Sequence, residues 1–323
     1  MSSYAVGLDL GGTNIKAGLV DRENGLVETK SRPTDAEQGP EHVLDQMAAL
    51  ASALIADLPD ADVEGIGVGS PGAINWSRTT VSHPPNLPGW KTINVQSALR
   101  TRVGPLEVIV ENDANVAALG SAFYGAGTAH DSFLMVTLGT GVGGAIIYRN
   151  QIFRGSTGGA GEIGHMTIDY EGPFANTGVG GAIEGYLGQA FLSEHARDRL
   201  VNYPESTIHD LVDGDLQAVD PRVLYEAARD GDEAAQSILA WAGHKLGCVL
   251  GAAVNLLDIR TIIVGGGVSA AEHFILDPAR DTLPRYVTPG LRDGLTIRRE
   301  KRGNDVGILG AARLAFEGAD AHV

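Results

Sequence analysis

Asp9-Leu10-Gly11-Gly12-Thr13-Asn14-Ile15-Lys16-Ala17-Gly18 is a glycine turn between two apolar runs, and Thr137-Leu138-Gly139-Thr140-Gly141-Val142-Gly143-Gly144 repeats the arrangement. Each reads as strand, bare backbone turn, strand. Glycine lets main-chain N–H groups converge on an anion, because no Cβ blocks the approach and φ > 0 is free. One such hairpin is equally an ordinary tight turn. Two, about a domain's length apart, suggest two halves of a molecule gripping one polyphosphate.

Outward from the first turn, residues 4–10, 15–21 and 26–32 read as consecutive strands, with Gly11-Gly12 and Asn24-Gly25 as hairpin signals. Val43, Leu44, Met47, Leu50, Ala51, Leu54, Ile55 and Leu58 follow the i, i+3, i+4 rule and predict an amphipathic helix. Val63 to Val68 and Leu106 to Val110 predict buried strands. Between them His83-Pro84-Pro85-Asn86-Leu87-Pro88-Gly89-Trp90 reads as a proline-rich surface segment. A helix over about 114–124 opens the second half. Strands at 133–138 and 142–148, helical patterns over 183–200 and 222–258, a strand at 262–264 running into Gly265-Gly266-Gly267, a strand near 295–298 and a last helix over about 306–316 follow. The order strand-strand-strand-helix-strand-helix, begun twice, predicts an α/β fold of two related lobes.

The composition narrows the function classes. The 323 residues are 43% hydrophobic with a net charge of −16. That charge argues against a nucleic-acid surface or an anionic membrane face, both of which want clustered Lys and Arg. The single cysteine, Cys248, cannot form an intramolecular disulfide and reads as a small core residue. The apolar run Leu246–Leu257 is shorter than a membrane span, and the N-terminus lacks a signal-peptide layout. A cytoplasmic protein is expected.

Several residues can carry chemistry. Asp9 ends a strand and points at whatever Gly11, Gly12 and Thr13 embrace. A carboxylate beside phosphate-binding amides is repulsive unless a cation sits between, so a magnesium-linked role is sensible; a solvated hairpin aspartate is the plain alternative. Thr137 and Thr140 add hydroxyl donors around Gly139 and Gly141. Gly265, Gly266 and Gly267 form a third loop at a strand end, where open α/β sheets place ligands. No phosphate loop of the Gly-Lys-Ser/Thr type and no dinucleotide fingerprint stands at a fitting place. Asp113 stands at a strand-to-helix corner, either as a plain N-cap or as a base for a substrate hydroxyl. Asn112 can donate and accept, as a sugar hydroxyl requires. Glu162 and His165 among glycines, with Glu184 beyond, suit a polyol, although each alone fits a structural role.

In this order the pieces resemble the ROK family of sugar kinases and related repressors, from residue 4 to about 316. Asp9-x-Gly-Gly-Thr and Gly139-Thr-Gly-Val-Gly-Gly144 look like its two phosphate motifs. Glu111-Asn-Asp-Ala-Asn115 looks like the segment with the catalytic aspartate, and Glu162-x-Gly164-His165 like the sugar-binding element. Glu184 falls at another sugar-contacting glutamate, and Gly265–Gly267 at the adenosine-side loop. Asn86-Leu-x-Gly-Trp90 is similar to the glucokinase branch.

The resemblance implies a two-lobed actin/hexokinase-like (ribonuclease H-like) ATPase fold with an interlobe cleft. The expected division is a small domain of 1–113 plus about 303–323 and a large domain of 114–302. It implies ATP and Mg²⁺ as cofactors, Asp113 as catalytic base, Asn112, Glu162, His165, Glu184 and the backbone of Gly72 on the sugar, and a homodimer or homotetramer. The implied reaction is phosphorylation of an aldohexose, glucose first, with fructose, mannose, allose or N-acetylmannosamine as alternatives and polyphosphate as another donor. A sugar-responsive repressor is the competing class; with a strand starting near Tyr4 and an acidic balance, no DNA-binding segment is expected. One departure stands out. Where the family carries zinc-binding cysteines, this chain has Ala175-Asn-Thr-Gly-Val-Gly-Gly-Ala182. A lone His165 cannot hold zinc, so no zinc is expected, and Asn176, Thr177 or a carbonyl is expected to orient the imidazole.

Overall fold

The first three strands form at Tyr4–Leu10, Asn14–Asp21 and Gly25–Pro33, as the turn signals require. The computed structural model describes residues 3–56, 58, 63–303 and 305–318. Its chain divides into two units: Met1–Asp131 with Ala145–Ala160 and Asn304–Val323, and Ser132–Gly144 with Gly161–Gly303.

In unit 1 a five-stranded sheet runs in the order Gly25–Pro33, Asn14–Asp21, Tyr4–Leu10, Val63–Ser70, Glu107–Asn112. The last three strands are parallel to one another, and the first hairpins are antiparallel. Alternation decides what each face packs against. Val6, Leu8, Leu10, Ile66 and Val68 join one buried cluster with Val43, Leu44, Met47, Leu50 and Leu54 of the helix Pro40–Ile55. The segment expected at the surface also belongs there: Leu87 and Trp90 are buried in this cluster. That correction has a simple cause, since Leu87 and Trp90 lie three apart on a proline-stiffened segment and turn the same way while Pro88 and Gly89 face solvent.

The middle of the opposite face is bare backbone. Gly7 and Gly67 are register partners on adjacent strands. The C-terminal helix Asp305–Glu317 lies across them: a Cβ at Gly7 would stand 2.0 Å from the Ile308 carbonyl oxygen and one at Gly67 1.7 Å from that of Ala311. The helix Asp113–Tyr124 packs on the same C-terminal helix by reciprocal glycines, Gly120 against the Val306 carbonyl and Gly310 against that of Val116.

In unit 2 the strand Phe133–Leu138 pairs in parallel with Thr261–Gly265, which pairs in parallel with Thr296–Arg299. The helical pattern at 183–200 is two helices, Glu184–Leu187 and Gln189–Leu200, interrupted at Gly188. That at 222–258 is also two, Pro221–Arg229 and Glu233–Leu257. The apolar run Leu246–Leu257 is therefore half of a 25-residue helix that is, by length and composition, long and apolar enough to cross a membrane; about 61% of its most apolar window is buried inside the protein. Reading only the uninterrupted apolar run missed this, because Gln236, His244 and Lys245 interrupt the pattern without ending the helix. Cys248 on this helix is partly exposed rather than core.

A methyl group at Gly67 has no room. Gly67→Ala should cost about 2 kcal/mol or more in urea unfolding by overpacking. Gly290→Ala, where a Cβ meets nothing within 4 Å, should stay within about 0.5 kcal/mol. Equal midpoints for the two variants would contradict this packing.

Candidate active site

The polar residues of unit 1 gather where its parallel strands end. Register aligns Asp9 with Gly69 and Ser70 with Asn112, so Asp9, the Ser70–Gly72 turn and the Asn112–Asp113 corner share the carboxyl edge of three adjacent strands. This is the edge at which parallel sheets expose ligand sites. Ala5, Gly7 and Asp9 point to the C-terminal-helix side, and a Cβ at Gly307 would stand 3.3 Å from Asp9 Oδ2. The carboxylate is thus pressed against the first turn of that helix. Gly72, at φ +94°, fits because a Cβ there would stand 2.7 Å from Pro84 Cα.

The corner differs from the sequence expectation by one residue. Asn112, not Asp113, is the N-cap: its side chain accepts from the Ala114 and Asn115 N–H groups at 3.0 and 3.3 Å. Both residue types cap well, so the pair Asn-Asp does not announce which one does. With Asn112 committed, Asp113 is free of that task, and its Oδ1 accepts from the Ala114 N–H at 2.9 Å.

Asp113 perturbs Asp9. Burial, then the charge of Asp113, raise the Asp9 pKa from 3.8 to about 6, against the opposing pull of Lys16, its partner on the neighbouring strand. Asp113 is open to solvent on one side yet otherwise surrounded by protein. That desolvation raises its pKa despite hydrogen bonds from backbone N–H groups and the Asn112 side chain. Two neighbouring carboxylates at a sheet edge have the chemistry of hard-cation ligands.

The first glycine turn is closed by its own backbone, Gly11 N–H donating to the Asn14 carbonyl at 3.1 Å. Gly12 and Thr13 are exposed at its tip. Asn86 stands close to Gly12, where a Cβ would lie 3.0 Å from the asparagine Cβ. The second turn, in unit 2, is closed the same way by Gly139 N–H to the Gly141 carbonyl at 3.0 Å. Thr137 is the register partner of Gly265. Gly266, at φ +85°, lies under the turn, since a Cβ there would stand 2.2 Å from the Leu138 carbonyl. Gly139 and Gly267 line a cavity of about 330 Å³ together with Gln189, Asp220, Arg222 and Tyr225. These last four were not singled out from sequence. Gln189, Asp220 and Arg222 sit at ordinary helix starts and Tyr225 about one turn further on, and nothing local marks them.

Unit 2 also divides the expected sugar residues. Glu162 and His165 come together, with 3.7 Å between Oε2 and Nε2. Glu184 lies against the second turn and accepts from the Val142 N–H at 3.1 Å, and a Cβ at Gly141 would stand 2.4 Å from its Oε2.

The ROK family profile matches residues 5–317. The chain belongs to the ROK family. A Streptomyces coelicolor glucokinase is 35% identical over 97% of both chains, and a Thermotoga maritima glucokinase 31% identical, also over 97% of both. Among solved structures, a ROK family glucokinase from Streptomyces griseus in complex with glucose and AMPPNP is 34% identical, covers 98% of this chain and 100% of its own, and superposes with a TM-score of 0.85. The fold is the actin/hexokinase-like α/β fold.

The donor set at the zinc position of the ROK resemblance is poor. Among the described residues no three His, Cys, Asp or Glu side chains come together. Ala175 and Ala182 are buried apolar groups. The loop is closed by backbone instead, through bridges Thr167 to Ala182 and Phe174 to Gly180. His165 Nδ1 lies 3.3 Å from Thr177 Oγ1. These residues do not fit zinc.

The raised pKa of Asp9 has a sign. A carboxyl whose folded pKa exceeds its unfolded one stabilises the fold fully below about 4, and that contribution is lost as pH rises through about 6. At about 1.4 kcal/mol per pH unit the loss is at most about 3 kcal/mol. In chelator, Asp9→Asn should therefore unfold at higher urea than the parent at pH 7.5, with the gap closing by pH 4. A gap independent of pH would contradict the assignment.

Proposed function

We propose that this ROK protein is an ATP-dependent hexose kinase that converts glucose to glucose 6-phosphate. The observation that carries the reading is the Asp9–Asp113 pair at one sheet edge, in a chain 31–35% identical to glucokinases. Asp113 accepts the proton of the sugar 6-hydroxyl as that oxygen attacks the γ-phosphate. Desolvation raises its pKa, which makes it a better base than a solvated carboxylate. The Asn112 amide steadies Asp113, and Glu162, His165, Glu184 and the Gly72 backbone hold ring hydroxyls. Thr177 orients His165 in place of a metal.

Gly11, Gly12 and Thr13, with Thr137, Gly139, Thr140 and Gly141, cradle the phosphates. Gly265, Gly266 and Gly267 form the loop on the nucleoside side, and Gly267 lines the cavity that would take the nucleoside. Mg²⁺, bound through Asp9, would screen the phosphate charge and polarise the transferred group. Positioning and charge stabilisation supply the rate, since phosphoryl transfer leaves the protein little covalent work.

The test follows ADP release with Mg²⁺, ATP and glucose. The parent should turn over, and Asp113→Asn should lose ~10²–10⁴-fold in kcat while binding glucose with a Kd within about threefold. Near-native kcat in the variant would refute the base assignment. Elemental analysis of the same protein should find zinc far below one per chain, and stoichiometric zinc would refute the metal-free reading of His165.

A further inference from the structure

Directly before the Asn112–Asp113 corner stands Glu111, a carboxylate with no solvent exposure. Two arginines from distant parts of unit 1 converge on its Oε2: Arg78 Nε at 2.8 Å and Arg154 Nε at 2.9 Å, both nearly as buried. Its Oε1 faces the other way and accepts from the Asn112 backbone N–H at 2.8 Å and from Asn115 Nδ2 at 3.1 Å. One oxygen is therefore anchored by cations and the other holds the first turn of the helix that carries Asp113.

Arg154 extends the anchor. Its other nitrogens donate to the Trp76 and Asn75 carbonyls at 2.7 and 3.0 Å. Its own carbonyl accepts from the Gly158 and Ala160 N–H groups at 3.1 and 3.3 Å. The chain then continues to Glu162. A fully buried cluster of three charges is a poor source of net stability, because desolvation offsets most of the attraction. It does fix geometry, since each charge has only one place to go.

We infer that Glu111 and Arg154 are positioning residues that hold Asp113 in its proton-accepting place. The inference rests on the reading of Asp113 as base. If Arg154 acts through Asp113, its loss matters only while Asp113 can accept a proton.

The experiment is a double-mutant cycle on the intact chain, reading kcat and KM for glucose and ATP from accumulated ADP. Arg154→Met should lower kcat ~10–100-fold with the KM for ATP within twofold. Arg154→Lys, which keeps a cation by Glu111 but lacks the fork to Asn75 and Trp76, should recover part of that loss. In the Asp113→Asn background, either Arg154 substitution should change the residual kcat less than twofold. An equal fold-loss in both backgrounds would mean a structural role only and overturns the inference while leaving the base intact. Near-native kcat for Asp113→Asn alone would overturn the base reading and the inference with it. Should Arg154→Met fail to fold, the Arg154→Lys cycle decides by the same criterion.

Discussion

The C-terminal helix lies on glycine. Gly7 and Gly67 leave the middle of the unit 1 sheet without side chains on one face, and the helix backbone comes down to fill that space. Gly120 and Gly310 let the helix Asp113–Tyr124 approach the same helix as closely. A close backbone approach gives up the flexible padding of side chains, so the elements have little freedom to slide. The ends of these elements carry Asp9 and Asp113. Their placement is therefore a consequence of packing that lies several residues away from either carboxylate.

That placement is electrostatically unfavourable for an isolated protein. Burial raises both pKa values, and the charge of Asp113 raises that of Asp9 further. Sites of this kind are maintained where a ligand supplies the missing charge, and the Mg²⁺ of the proposed nucleotide complex would supply it. The buried charges around Glu111 follow a different logic. Two guanidiniums share one carboxylate there, whose other oxygen faces the helix cap. In the proposed mechanism the first group of carboxylates has a cation to bind, and the second is a brace.

What could be read from sequence follows the range of the interactions. The hairpins at Gly11-Gly12 and Asn24-Gly25 are local, so their strands emerge at nearly the expected bounds. The corner at Asn112–Asp113 was legible as a helix start, but the choice of cap turned on side-chain geometry. Glu111 belonged to a recognisable motif, yet its partners Arg78 and Arg154 are remote in sequence and lie in loops with no periodicity. The Gly65-Ile-Gly-Val-Gly69 alternation encodes the bare sheet face plainly, but only the helix that covers it gives the pattern a reason. Leu87 and Trp90 were hidden by the prolines around them. The cavity residues Asp220 and Tyr225 become visible only when the chain folds back.

The most direct measurement is the fate of the transferred phosphate. With glucose labelled by ¹³C at carbon 6, ATP and Mg²⁺, NMR should show phosphorus coupling on the labelled carbon, and ADP should appear only when glucose is present. Free phosphate in place of that coupling, or phosphate on the anomeric carbon, would contradict Asp113 as the base for the 6-hydroxyl.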